Sequence, residues 1–223
     1  MKYELTEETM DVCDHTLHRI KYLENSELGG WIESKKNLSQ DGDARVSGDA
    51  QVYGDARVYG NAQVYGDARV YGNAQVYGNA WVSGDARVYG NVQVYGNTQV
   101  YGNAWVYGDA RVYGNAQVYG DARVYGNAQV YGNARVSGDA RVSGDFWDVS
   151  PLQIRGSKYF FSVSSKDSIT VGCQTRTIAE WQETYEKAFE NYDFTAAERR
   201  EYKLYFNLAA DLYGWEIRLP VEG

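Results

Sequence analysis

The residues with chemical potential in this 223-residue chain are few. His15 and His18 are its only histidines, and Cys13 and Cys173 its only cysteines. A neutral imidazole is the commonest general base near neutral pH, so proton-transfer chemistry would have to begin at His15 or His18. Neither sits in a motif: no nucleophile elbow, phosphate loop or paired-cysteine spacing is found anywhere in the chain. Both histidines read as ordinary residues of a capping segment, and no catalytic residue is expected. The two cysteines do not suggest a disulfide framework and read as reduced structural thiols.

Asp or Asn at every sixth position from Asp43 to Asp139 is the other candidate, because regularly spaced carboxylates can hold calcium. The β-roll that does so repeats Gly-Gly-X-Gly-X-Asp over nine residues, a pattern missing here. Next to glycine, Asx residues make turns, so no metal and no cofactor is expected. Threonine ladders of the ice-binding kind are missing too, since Thr98 is the only threonine between 43 and 144.

Those Asx residues belong to seventeen uninterrupted hexapeptides, (Asp/Asn)-Ala-X-Val-(Tyr/Ser)-Gly, from Asp43 to Gly144. A fixed short period marks a solenoid, in which each unit buries its apolar face only by stacking on neighbours. Ala and Val lie two apart and point to one side of a short strand, while X and the Tyr or Ser point to the other. The Gly-Asx pair supplies a turn. Both prolines, Pro151 and Pro220, fall outside the repeat, as a continuous ladder of backbone donors requires.

An inward aliphatic residue followed four positions later by a small one, from Val46/Ala50 to Val136/Ala140, resembles the left-handed parallel β-helices of the hexapeptide-repeat family. The resemblance implies three hexapeptides per triangular coil and hence about six coils, roughly 27–30 Å at the ~4.8 Å strand spacing. It also implies acyl transfer from acyl-coenzyme A, bound between the coils of a trimer. No hexapeptide carries a histidine and no loop interrupts the coils, so a transferase is the alternative rather than the expectation.

The ends read as caps, needed because an open ladder edge invites association. His18–Leu23 reads as a strand, and Ile32 and Leu38 fall in phase with Ala44, so coiling begins before the perfect repeats. Phe146 occupies the next alanine phase and reads as a plug over the last coil. Lys158–Cys173 alternates as a hairpin turning at Ser165–Ser168. Thr177 with Glu180 and Thr195 with Glu198 are capping boxes, predicting helices to about Asn191 and Tyr213. The expected fold is mainly β: an N-terminal cap (1–42), the β-helix (43–145) and a small α+β cap (146–223). Gly29–Ser34 with Asn37–Ser39, and Gly172–Cys173 with Thr177–Trp181, resemble segments of phage and prophage hexapeptide-repeat proteins.

Thirteen of the 21 tyrosines lie in the hexapeptides, sorted by face at every third unit. One face carries Tyr53, Tyr71, Tyr89, Tyr107 and Tyr125, with Trp105 in the neighbouring arginine column. The next carries Tyr59, Tyr77, Tyr95, Tyr113 and Tyr131. The third is interrupted, reading Ser47, Tyr65, Ser83, Tyr101, Tyr119 and Ser137, with Trp81 beside it. The net charge of -8 lies at the ends, since eight Asp balance eight Arg inside the repeat. No basic stripe for nucleic acid is present. The N-terminus lacks an apolar signal core and no apolar run reaches membrane-spanning length. The expectation is a non-catalytic binding or assembly module in the cytoplasm of a bacterial host. It would self-associate as a trimer through a Tyr-lined face, or bind a host or phage protein. Inhibition of a host protein is a further alternative.

Overall fold

The computed structural model describes residues 1–221. Residues 222 and 223, the end of the expected C-terminal cap, lie outside the described residues. Two compact units are present: residues 1–138 with 143–150, and residues 139–142 with the chain from Pro151 onward.

In the first unit each hexapeptide up to residue 138 forms a strand of two to four residues beginning at X-Val, and the chain pairs with itself in parallel one coil, eighteen residues, later. Thus Gln51 lies opposite Arg69, Arg69 opposite Arg87, and Arg87 opposite Trp105. Three donors of a hexapeptide reach the next coil. Arg57 N–H donates to Ala74 O at 2.9 Å, Tyr59 N–H to Val76 O at 3.1 Å, and Asn61 N–H to Gly78 O at 2.8 Å. The outcome is a parallel β-solenoid of about six turns with three sheet faces.

Every valine from Val46 to Val142 is at most 1% exposed, and the alanine column is fully enclosed. Val92 and Thr98 take two alanine positions, and the Thr98 hydroxyl donates to Tyr95 O at 2.7 Å, so no inward polar group is stranded there. Each buried valine contributes about 1.5–3 kcal/mol. The corners demand glycine for two reasons at once. Gly96 has φ 79°, and a Cβ there would stand 2.8 Å from Gly114 O in the next coil.

Coiling does begin early, but in a different phase from the expected one. Ile32 lies opposite Val52 and Leu38 bridges Val58, so both sit on the valine column rather than the alanine column. The cause is a first coil two residues longer than the rest, twenty from Leu38 to Val58 instead of eighteen. Before it runs an antiparallel hairpin, Tyr3–Val12 with His15–Tyr22. The expected strand at 18–23 thus starts earlier, and its partner went unread because Thr6, Glu7 and Glu8 break the apolar alternation. The hairpin extends one sheet face through Leu28–Ile32.

Side chains close the two remaining faces at this end. The Tyr22 hydroxyl accepts from Val46 N–H at 2.9 Å and donates to Val46 O at 3.1 Å. Buried Asn37 donates to Gly54 O and Ala56 O at 3.0 and 2.9 Å. At the other end Phe146 is not the plug: it is 68% exposed, whereas Trp147 is 4% exposed and lies opposite Val130. Gln129 N–H bonds Asp145 O, one residue short of the repeat's spacing. That slip, made at Asp145 with φ 53°, turns Phe146 outward.

The second unit holds a four-stranded antiparallel sheet, Gln153–Arg155, Phe160–Ser165, Ser168–Val171 and Gln174–Thr177. Its central pair is the expected hairpin. Helices α1 (Ile178–Asn191) and α2 (Ala196–Tyr213) both start in complete capping boxes, on Thr177/Glu180 and Thr195/Glu198. Phe161, Ile169, Trp181, Phe189, Tyr202 and Phe206 form its core.

Val94 is fully buried, opposite Val76 and Val112. A Val94→Asp variant places an unpaired carboxylate in a dry prism and should lose several kcal/mol. A thermal melt matching the parent's would contradict the inward assignment of the valine column.

Candidate functional site

Because the coils repeat in register, identical side chains stack directly above one another, and outward tyrosines become ladders. On the second face the rings of Tyr59, Tyr77, Tyr95, Tyr113 and Tyr131 follow at 4.8, 4.9, 5.1 and 5.0 Å, with planes within 7° of parallel. Each is half-buried by its neighbours. Gln75 and Gln129 accept hydrogen bonds from the hydroxyls of Tyr59 and Tyr113. The corner beside this column is an amide ladder, Asn61, Asn79, Asn97, Asn115 and Asn133, joined at 3.0–3.3 Å.

On the first face Tyr53, Tyr71, Tyr89, Tyr107 and Tyr125 stack at 4.9–5.3 Å. This ladder is not open along its length. Leu17 and Trp31 pack on Tyr53, with Met10, Val12 and Tyr71 against them, so Tyr53 is only 8% exposed. The N-terminal hairpin therefore covers the start of the ladder. Trp105 also fails to present a bare ring, because Arg87 and Arg123, from the coils on either side, lie over it at 4.9 and 5.1 Å. Of the expected surface, Tyr53 is removed and Trp105 is masked by guanidinium groups. Sequence reasoning missed the covering residues because Met10, Val12 and Leu17 meet Tyr53 only once the hairpin has paired.

His15 is a positioning contact of this hairpin. Its Nδ1 lies 3.2 Å from Glu33 Oε1, its ring is 5.1 Å from Tyr53, and Glu33 Oε2 accepts from Gly54 N–H at 2.7 Å. Desolvation alone would raise the Glu33 carboxyl; the hydrogen bonds from His15 and Gly54 hold it below its ordinary value. His18 lies opposite Thr9 and Ile32 in the sheet. Both cysteines are free and exposed, not the structural thiols expected. Among the described residues no group of three or more His, Cys, Asp or Glu is arranged to hold a metal, and no helix is long and apolar enough to cross a membrane.

Burial pushes the phenols of Tyr53, Tyr59, Tyr71, Tyr77, Tyr89 and Tyr95 above their usual range, and stacked neighbours add to it at Tyr53, Tyr77, Tyr89 and Tyr95. Tyr3, whose hydroxyl donates to Leu38 O at 2.7 Å, is pushed by burial to about 12. A phenol raised in the folded state is bound to its proton more tightly there than in the unfolded chain. Its stabilisation is complete below pH 10 and is lost as pH rises through the folded value. Thermal melts should accordingly be flat up to pH ~10 and fall steeply between ~10 and ~12. Phenolate absorbance appearing at an ordinary pH with no loss of β signal would contradict this.

Comparison with protein families bears on the coils. Residues 50–65, 62–78, 74–90, 80–96, 98–114, 104–120, 116–132, 128–144 and 134–148 match the family model described as YdcK Beta solenoid repeat. Together the matches span residues 50–96 and 98–148, less than half of the 223-residue chain. No curated protein matches the chain. Over the matched span the chain is a β-solenoid repeat protein similar to that family.

Proposed function

We propose that this β-solenoid repeat protein is a non-catalytic binding and assembly module that presents a rigid tyrosine face for protein association. The unbroken stack from Tyr59 to Tyr131, at 4.8–5.1 Å per step, is the observation that carries the reading. Tyrosine offers a large apolar face with a hydroxyl content in water, and stacking has already removed much of the side-chain entropy that association would otherwise cost. The first-face ladder supplies an internal precedent, since its start is covered by Met10, Val12 and Leu17 of the chain itself.

Self-association as a closed trimer, face against face, is preferred to head-to-tail growth, because Tyr22 and Asn37 occupy backbone groups at one end of the ladder. Light scattering on the parent should report a trimer, and the triple variant Tyr77→Ser, Tyr95→Ser, Tyr113→Ser should be monomeric. Serine is already used at this position of the repeat, so the coils should persist. A monomeric parent would sink the proposal; a trimer indifferent to the changes would move the interface elsewhere.

The resemblance of Gly29–Ser34 and Thr177–Trp181 to phage and prophage proteins supports work inside a bacterial host, with a host or phage protein as the other partner class. The charge balance of the repeat supports no role in nucleic-acid binding. Against the acyltransferase alternative stands the placement of both histidines in the N-terminal hairpin, with no histidine and no inserted loop in the hexapeptides. Thermal-shift titration with acyl-coenzyme A should leave the melting temperature unchanged. A saturable rise, lost in His15→Ala, would reverse the non-enzymatic reading.

A further inference from the structure

We propose that the break in the third face at Ser83 is a binding site for one aromatic side chain of a protein partner that carries an adjacent Lys or Arg. This inference concerns a different face from the stack of Tyr59 to Tyr131 and does not depend on self-association.

Register places Ser83 between Tyr65 and Tyr101, because Trp81-Val82 lies opposite Gln63-Val64 on one side and Gln99-Val100 on the other. From Tyr53 to Tyr125 and from Tyr59 to Tyr131 on the other two faces, every coil adds one ring at 4.8–5.3 Å. The coil of Ser83 adds none. The space left is about 230 Å³, lined by Tyr65, Trp81, Ser83, Gln99 and Tyr101. An apolar cavity of about 150 Å³ suffices to hold benzene, so one ring fits. In depth the notch corresponds to a single missing rung, at the spacing the chain uses for its own rings.

The walls are aromatic and available. Trp81 is 43% and Tyr65 36% exposed, the two exposed aromatic side chains of the coils, and they meet edge to face at 6.5 Å and 77°. Tyr101 is held from its other side by Tyr119, stacked at 4.9 Å and 2°, which leaves the side toward Ser83 for a guest. Room for Trp81 does not explain the serine, since Trp105 shares its own unit with Tyr107 and both are accommodated.

The charge beside the notch selects among aromatic guests. Gly66-Asp67 and Gly84-Asp85 turn the corner next to Tyr65 and Ser83. The carboxylates of Asp67 and Asp85 are exposed and have no hydrogen-bond or ion-pair partner among the described residues. In the same column Asp49 is engaged by Arg19 and Asp121 by Asn103, while Asp139, away from the notch, is also without such a partner among the described residues. Two uncompensated carboxylates repel a phosphate-bearing base and attract an ammonium or guanidinium next to the inserted ring. A basic-flanked Tyr, Phe or Trp satisfies both features.

The experiment uses the full chain labelled with fluorotryptophan, the Trp81 resonance being assigned by its loss in Trp81→Phe. Capped Lys-Tyr-Lys should move that resonance saturably. Lys-Leu-Lys and Glu-Tyr-Glu should bind about tenfold more weakly or worse, the cost of losing one aromatic pair or its charge partner. Ser83→Tyr, which fills the notch with the residue found there in thirteen of the seventeen units, should abolish the response while melting no lower than the parent. An equal response to Lys-Leu-Lys, a response that survives Ser83→Tyr, or no response at all would overturn the proposal. Adenosine monophosphate binding more tightly than Lys-Tyr-Lys would overturn it in favour of a nucleotide.

Discussion

Each coil must close on itself in eighteen residues, so that every backbone donor leaving one turn finds the same acceptor in the next. That constraint is imposed by hydrogen bonds that cannot be left unmade beside a dry core, and most other features follow from it. It admits only alanine-sized and valine-sized side chains inside, because three strands meet in a narrow prism. Glycine at the corners follows as well, since at Gly96 the next coil's carbonyl leaves no room for a Cβ. Outside, the same register makes every column a ladder. Tyrosines are therefore forced to stack whether or not the stack is used, and departures such as Ser83 carry more information than the rule.

A ladder that propagates so faithfully has to be stopped at each end. At the start the chain extends one face as an antiparallel hairpin and blocks the other two with single side chains, Tyr22 and Asn37, which imitate a strand's donors and acceptors. At the end a one-residue slip at Asp145 swings Phe146 outward and sets Trp147 on the core. Both devices change the phase of the coil rather than its composition. Termination is thus a matter of register, achieved with an indole that the prism could not have held further in.

The period explains what was legible beforehand. Val, Ala and Gly at six-residue spacing specify inward and corner positions without reference to any distant residue, and the capping boxes at Thr177 and Thr195 are equally local. Register at the ends is different. Whether Ile32 sits over Val52 or over Ala50 depends on the length of one turn, which composition does not report, and Phe146 against Trp147 depends on a single positive φ at Asp145. The ladders were readable as columns, yet the covering of Tyr53 by Met10, Val12 and Leu17 arises from long-range pairing in a hairpin whose first strand is polar. His15 likewise looked idle in sequence, because Glu33 comes within 3.2 Å only through the sheet.

Translational equivalence of the coils also bears on how such a chain changes over generations. Slippage between near-identical gene segments that removes or adds eighteen codons leaves each interior contact type and each corner intact and merely alters the number of rungs. A slip of six codons preserves the core just as well, because Ala and Val recur at that step, but it moves all later columns round to the next face. Length and surface pattern can therefore be varied almost independently by one genetic accident, while the interior is indifferent to both. Changes of one or two residues, such as the longer first coil and the one-residue shortening at Asp145, do neither: they shift the phase of the columns.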